Sequence, residues 1–295
     1  MRSYLIDFFA EFDYPEQSRI ALLEAYDLID AITEAKKEFY SIEARYAIDM
    51  LLPYDEIKAS CTKISELTGI HIYTTELLAY ISMTHTLRYY YEKAGLPYSV
   101  YKNSMLDLRY KLKECLLVKG IHGSFVAHWF RGFFILERFA LGRLQFEIIK
   151  SPIDYTKGDK KIAKGDPVIN IHIPRTETPL ARHDCLEAYS MAKEFFKDRF
   201  GGTKTPFVCS SWLLFPKLRE LLPESSNIIT FAKDFDIVET VLRPEGEHPD
   251  IWRIYDMDYT GNLDDLPSNS TLRRNYLNYL KNSGREGVGK GFFFI

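Results

Sequence analysis

The hydrophobic period of this chain changes once, near Phe139, and that change limits what it can fold into. Before about residue 120 the apolar residues recur at three- and four-residue intervals, the spacing of one helix face. Ile20, Leu23, Tyr26 and residues 29–32 make the first such stripe, with charges opposite. Beyond Phe139 the repeat is two. Arg143, Gln145 and Glu147 alternate with Leu144, Phe146 and Ile148, as in a half-buried strand. A chain of 295 residues with this switch is long enough for two domains of different class.

The helical part reads as five helices with short connections. After the first, a second spans 34–52 and stops before Pro53, and a third spans 55–67 with Gly69 as its cap. A fourth starts at Thr74 or Thr75 and ends at Gly95, with Pro97 following; a fifth spans 99–118 and ends at Gly120. Short connections favour a bundle. The expected division is a helical domain at 1–125 and a second domain at 126–295, with residues 121–138 as a helix shared by both. In the second domain, polar residues 150–166 suggest a hairpin or loop, and a strand at 168–173 stops at Pro174. A helix at 184–200 ends at Gly201-Gly202, followed by a strand at 207–214, a short helix at 216–222, strands at 227–238 and 251–257, a helix at 271–282 and a final strand at 290–295. The fold class is therefore α+β, a helical bundle followed by a mixed α/β domain.

Composition narrows the function classes. With 46% apolar and 15% aromatic residues, the chain can fill two cores and is not disordered. A net charge of −3 lacks the basic balance of a nucleic-acid binder. Cys61, Cys115, Cys185 and Cys209 form no C-x-x-C pair, so no cysteine-built metal site is expected; they read as reduced, buried thiols. The first residues carry acids within their apolar stretch and lack a small-residue cleavage site, and no run of about 18 uncharged apolar residues occurs. The expectation is a cytoplasmic protein without a membrane span.

Four blocks carry a resemblance. They are Arg143-Leu144-Gln145-Phe146-Glu147, His172-Ile173-Pro174, Ser211-Trp212-Leu213-Leu214 and Ser226-Asn227, all behind a helical half. Together they resemble a two-domain bacterial family with an N-acyltransferase N-terminal domain and a GNAT-like C-terminal domain. The resemblance implies a mostly antiparallel sheet splayed between two strands, and transfer of an acyl group from acetyl-CoA or another acyl-CoA to a small-molecule amine. It also implies a strand, loop and helix that hold the pyrophosphate, matched here by strand 168–173, loop 174–183 and helix 184–200, with the pantetheine arm in the gap before strand 207–214. A helix N-terminus suits phosphate, and an unpaired strand edge suits a peptide-like arm. On this reading Ile173, Pro174, Arg175, Thr178, Leu180 and Arg182 bind cofactor, with Cys209 and Trp212 on the facing strand. The loop departs from the glycine-rich pattern of the superfamily: it contains no glycine, and Arg175 and Arg182 supply charge beside Glu177 and Asp184.

Amine acylation needs a base, because only a neutral amine attacks a thioester. His172, late in its strand, fits that role or the orientation of the amine; the alternative is a histidine bonded to a neighbouring strand. Glu147 also fits, the alternative being an ion pair with Arg143 on the same sheet face. Ser211 is expected to polarise or protonate near the thioester sulfur. Arg143, Gln145 and Asn227 are expected to bind substrate, with a turn cap as the plainer role for Asn227. Cys209 allows a cysteine nucleophile with His172, against the commoner buried thiol, and Trp212 allows either a ligand platform or core packing. The Gly287, Gly289, Gly291 run reads as a flexible turn. The helical half is expected to shape the acceptor pocket. The rival readings are a metabolite-binding module without catalysis, an interaction protein and a Cys209-dependent hydrolase.

Overall fold

The computed structural model describes residues 1–200 and 204–295. Its contacts divide the chain into two compact units, Met1–Ala140 and Leu141–Ile295. The Gly201-Gly202 helix stop expected from sequence lies outside the described residues.

The first unit is helical: α1 (Arg2–Glu11), α2 (Glu16–Ala31), α3 (Thr33–Ile48), α4 (Tyr54–Thr68), α5 (Ile72–Lys93), α6 (Tyr98–Lys119) and the short α7 (Arg131–Phe134). α1 was not among the five expected helices. It buries Leu5, Phe8 and Phe9 at helical spacing. α3 ends four residues early because the Asp49 carboxylate accepts from the Leu51 N–H at 2.9 Å, forming a local turn. α5 starts before Thr74, with the His71 ring accepting from the Tyr73 N–H. Its residues 74–84 are all buried, making it the central helix of the unit. Gly69 and Gly120 close α4 and α6 in the left-handed conformation, as expected. The segment at 121–138 is not one helix; it holds a 3₁₀ turn (Ala127–Phe130) running into α7.

β1 (Arg138–Leu141) crosses the division, and the second unit continues with β2 (Leu144–Lys150), β3 (Tyr155–Lys157), β4 (Lys160–Ile162), β5 (Pro167–His172), α8 (Arg182–Phe195), β6 (Pro206–Ser211), α9 (Leu218–Leu221), α10 (Asn227–Ala232), β7 (Asp236–Leu242), α11 (Ile251–Tyr255), α12 (Thr271–Lys281) and β8 (Gly287–Phe294). The main sheet has the order β1-β2-β5-β6-β8-β7, and β3 and β4 form a separate hairpin. β2–β5, β6–β8 and β7–β8 pair antiparallel, whereas β5–β6 is parallel. A parallel pair needs a crossover, which α8 supplies. One sheet face packs on α8: Tyr189 meets Phe207 and Phe293 with ring centroids 5.9 and 4.8 Å apart. The lower half of the other face is apolar (Val168, Val208, Phe292) and packs with Tyr155 and Ile162 of the hairpin.

Several expected strands are helices. Residues 227–232 form α10, and the strand starts only at Asp236. A short apolar run fits either element, and burial of Ile229, Phe231 and Ala232 decided it. Residues 251–255 form α11, burying Ile251, Ile254 and Tyr255 at i, i+3, i+4. The strand expected to reach residue 214 stops at Ser211, whose hydroxyl accepts from the Leu213 N–H at 3.2 Å and starts a 3₁₀ turn. The Gly287, Gly289, Gly291 run is not a turn but the interior of β8. A β-carbon at Gly289 would stand 2.1 Å from the Leu214 carbonyl oxygen, so glycine is required for close approach.

Glu286 ties β8 to the loop before α11. Its carboxylate accepts from the Asp250 N–H at 2.9 Å and lies 3.5 Å from His248 Nδ1. The residue is 1% exposed, and burial pushes its carboxyl from an ordinary 4.5 up to about 7. Burial also holds the His248 ring below its ordinary range, favouring its neutral form. A raised carboxyl pKa contributes stability that is fully present below about 4.5 and is lost as pH rises through about 7. Glu286→Gln is therefore expected to melt like wild type at about pH 4.5 and several degrees higher at about pH 8. Thermal melts across this range check it; equal melting at both ends would remove the argument.

Candidate active site

β5 and β6 pair through only two residue positions, Ile169 with Phe207 and Asn170 with Val208. Beyond these the strands part. Yet β5 stays laddered to β2 as far as His172 opposite Gln145, and β6 stays laddered to β8 as far as Ser211 opposite Gly289. The outcome is an opening between two strands that are each fixed on their far side. The facing edges beyond Asn170 and Val208 do not pair with one another, which leaves an edge suited to a ligand with peptide-like groups.

At the mouth of this opening stands a polar cluster. Glu147 lies directly opposite Asn170, and Gln145 directly opposite His172, so all four side chains share one sheet face. His172 Nε2 and Glu147 Oε1 are 2.6 Å apart, and the Asn170 amide nitrogen lies 3.1 Å from each of them. Glu147 and His172 keep 16% and 21% side-chain exposure, enough to meet a solute. Gln145 is buried at 2% exposure. The sequence treated His172 and Glu147 as alternatives; the structure joins them. Asn170 was missed. The signal was its position two residues before His172, on the same strand face.

Strand alternation sorts the other candidates. Phe207 stands opposite Ile169, so Cys209 and Ser211 lie on the α8 face, away from His172 and Asn170. The register therefore argues against a Cys209–His172 dyad. Cys209 is fully buried, and burial pushes its thiol far above the ordinary range, so no thiolate is available. Ser210, exposed, follows Val208 on the His172 face of β6. Ser211 caps the turn that holds Trp212, which lies outside the strand and packs against the cluster of Phe215, Leu218 and Ile254. Asn227 is the first residue of α10, behind Ser226, rather than a strand start.

Residues 173–181 carry the chain from β5 to α8. Arg143, from the turn before β2, donates to three of their carbonyls: Pro174 at 2.9 Å, Pro179 at 3.2 Å and Thr178 at 3.3 Å. The Thr176 hydroxyl meets the Thr178 hydroxyl at 3.2 Å. Arg175 is paired with Asp256, which also holds Arg273 at 2.5 Å. Arg182 is paired with Asp234, which also accepts from the Tyr189 hydroxyl at 3.2 Å. Ile173, Leu180 and Ala181 are half-buried, and Ala181 precedes the open N-terminus of α8. Beside Arg182 opens a cleft of about 350 Å³ bordered by Lys157, Lys160, Lys233 and Phe294. Neither Glu147 nor His172 lines it, so it is distinct from the polar cluster. Among the described residues no helix is long and apolar enough to cross a membrane, and no His, Cys, Asp and Glu group is arranged to hold a metal.

Residues 3–136 match the family described as the N-acyltransferase N-terminal domain, and residues 138–293 match the GNAT-like C-terminal domain. No curated protein matches the chain. Among solved structures, an acyltransferase in complex with decanoyl-CoA and teicoplanin is similar, with a TM-score of 0.71 and 21% identity over 98% of this chain and 86% of that one. An acyltransferase with CoA and 10C-teicoplanin gives 0.70 and 20% over 97% and 86%. An acyltransferase with decanoyl-CoA gives 0.68 and 18% over the same shares.

The burial of Cys209 gives a direct check. In native protein, iodoacetamide is expected to label it on the order of a hundredfold more slowly than in urea-unfolded protein. Peptide mass spectrometry reads the rates. Fast native labelling would restore a reactive thiol.

Proposed function

From the premise that this chain belongs to the two-domain family of N-acyltransferase N-terminal and GNAT-like C-terminal domains, we propose that it transfers an acyl group from an acyl-CoA to an amine on a small molecule. The observation that carries this reading is the parting of β5 from β6 with the Glu147–His172 pair at its mouth. Similar folds occur with decanoyl-CoA and with teicoplanin bound, which supports a thioester donor and a separate acceptor. Acetyl-CoA and longer acyl-CoAs are the donors to test.

The roles follow from position. The unpaired edges of β5 and β6 take the pantetheine arm. Residues 173–181 and the first amides of α8 take the diphosphate, with Pro174, Thr178 and Leu180 shaping the loop backbone. Arg175 and Arg182 add positive charge at its ends, moderated by Asp256 and Asp234. The acceptor arrives as an ammonium and passes its proton to the Glu147–His172 pair. Its nitrogen then attacks the thioester carbonyl; the C–N bond forms, the C–S bond breaks, and the proton shed by the attacking nitrogen goes to the departing thiolate. Asn170 holds the pair in register, and Gln145 stands beside His172 across the β2–β5 pair. Ser210, on the same face, is nearer in register to this chemistry than Ser211, whose hydroxyl serves the turn. Asn227 remains a substrate-contact proposal at the start of α10.

A second reading rests on the same two ion pairs. With Arg175 and Arg182 held by carboxylates, the scaffold also suits a module that binds a metabolite without turning it over. The readings separate on catalysis.

Saturable thermal stabilisation by CoA or an acyl-CoA is expected, because binding to the folded state raises its melting temperature. No shift at millimolar ligand would defeat the acyl-CoA reading. In a thiol-release assay with an amine panel, Glu147→Gln and His172→Ala are each expected to lower kcat by about 10²-fold or more, with little change in CoA affinity. Their double variant should lose little beyond either single one, since the two act as a unit. Full additivity would separate them; stabilisation without turnover would favour the binding module.

A further inference from the structure

We propose that Arg143 is the positioning residue of the cofactor loop, setting by side-chain bonding a backbone that glycines set in related loops. The inference rests on the acyl-CoA reading above. Close approach of a backbone to phosphate usually depends on glycine, which lacks a β-carbon and tolerates positive φ. Residues 173–181 contain no glycine, and none of them takes a positive φ. Their peptide planes are oriented by one guanidinium instead. It bonds the carbonyls of Pro174, Thr178 and Pro179 through Nη1, Nη2 and Nε, using three donors of a rigid planar fork.

That bonding has a geometric consequence. In a trans peptide the C=O and the following N–H point in opposite directions. Turning the Pro174 carbonyl toward Arg143 turns the Arg175 N–H away from it. Turning the Pro179 carbonyl toward Arg143 does the same to the Leu180 N–H. The bond following Thr178 belongs to Pro179 and has no N–H to misdirect. The loop thus gathers carbonyls on one side and turns the Arg175 and Leu180 amides to the other, and the α8 N-terminus that follows has no side-chain cap. The guanidinium also offsets the partial negative charge of three carbonyls that would oppose a diphosphate.

Arg143 is held to this task from behind. It follows Gly142, which turns at φ +63° and sits against α8, where a β-carbon would meet Met191 Sδ at 3.3 Å and Ala188 Cβ at 3.4 Å. The turn, the loop and α8 therefore form one packed unit. Arg143 is not an acceptor-binding group on this account, which revises the sequence expectation for it.

The test compares CoA with pantetheine, which lacks the diphosphate. Dissociation constants are measured by calorimetry, or as inhibition constants against acyl-CoA turnover. In Arg143→Ala the ratio of CoA affinity to pantetheine affinity is expected to fall roughly tenfold, with the kinetic loss in KM for acyl-CoA rather than in kcat. Arg143→Lys keeps the charge but cannot fork three carbonyls, so it should recover only part of the ratio; it also serves if the alanine variant folds poorly. An unchanged ratio in both variants overturns the proposal. So does equal weakening of both ligands, which would mark a general structural role. Wild type that binds pantetheine and CoA equally overturns the loop's part alone, whereas wild type that binds neither overturns the acyl-CoA reading itself.

Discussion

Everything proposed for this protein depends on the short parallel ladder between β5 and β6. A strand inside a sheet must satisfy its N–H and C=O groups on both sides. Here β5 has β2 and β6 has β8, so each keeps a complete ladder on one side after they separate. The separation is thus held open by two antiparallel pairings rather than by flexibility. It leaves polar backbone edges exposed to a ligand at a fixed place, which is the cheapest way for a sheet to bind a molecule that carries amide groups.

The two faces of the sheet divide the labour around that opening. The α8 face is filled with buried Phe146, Ile171, Phe207 and Cys209, with Phe293 packed on Tyr189 of the helix. The opposite face is apolar only in its lower half, under the β3–β4 hairpin. Above it, the register of β2 on β5 brings Glu147, Asn170 and His172 together. A one-residue slip of β5 on β2 would send Asn170 and His172 into the α8 core and leave Glu147 on the other face. Burial of the apolar half therefore fixes the chemistry of the polar half.

Much of this was legible before the fold was known. The alternation around Leu144, the stop at Pro174, the helix carrying Ala188 and Tyr189, and the blocks that resemble the acyltransferase family located the strand, loop and helix of the site. Glu147 and His172 were visible as polar residues late in apolar strands. Their union was not, because strand pairing is set by distant residues and leaves no mark on local spacing. The same limit explains Ser211 and Cys209: alternation puts them on one strand face, but only the register of the sheet decides which side that face is on. It also explains Asn227 and Ile251, since short apolar runs do not choose between strand and helix until they are buried.

By itself the sequence determined the change from helical to strand period, the helix ends at Gly69 and Gly120, the absence of glycine from the loop and the family resemblance. These depend on residue type and near-neighbour spacing, which a linear chain displays. Tertiary structure alone decided that Arg143 faces three loop carbonyls, that Arg175 and Arg182 meet Asp256 and Asp234, and that His172 meets Glu147. Those partners lie 25 to 81 residues apart along the chain, and only the packing of α8 and the register of the sheet bring them within bonding distance.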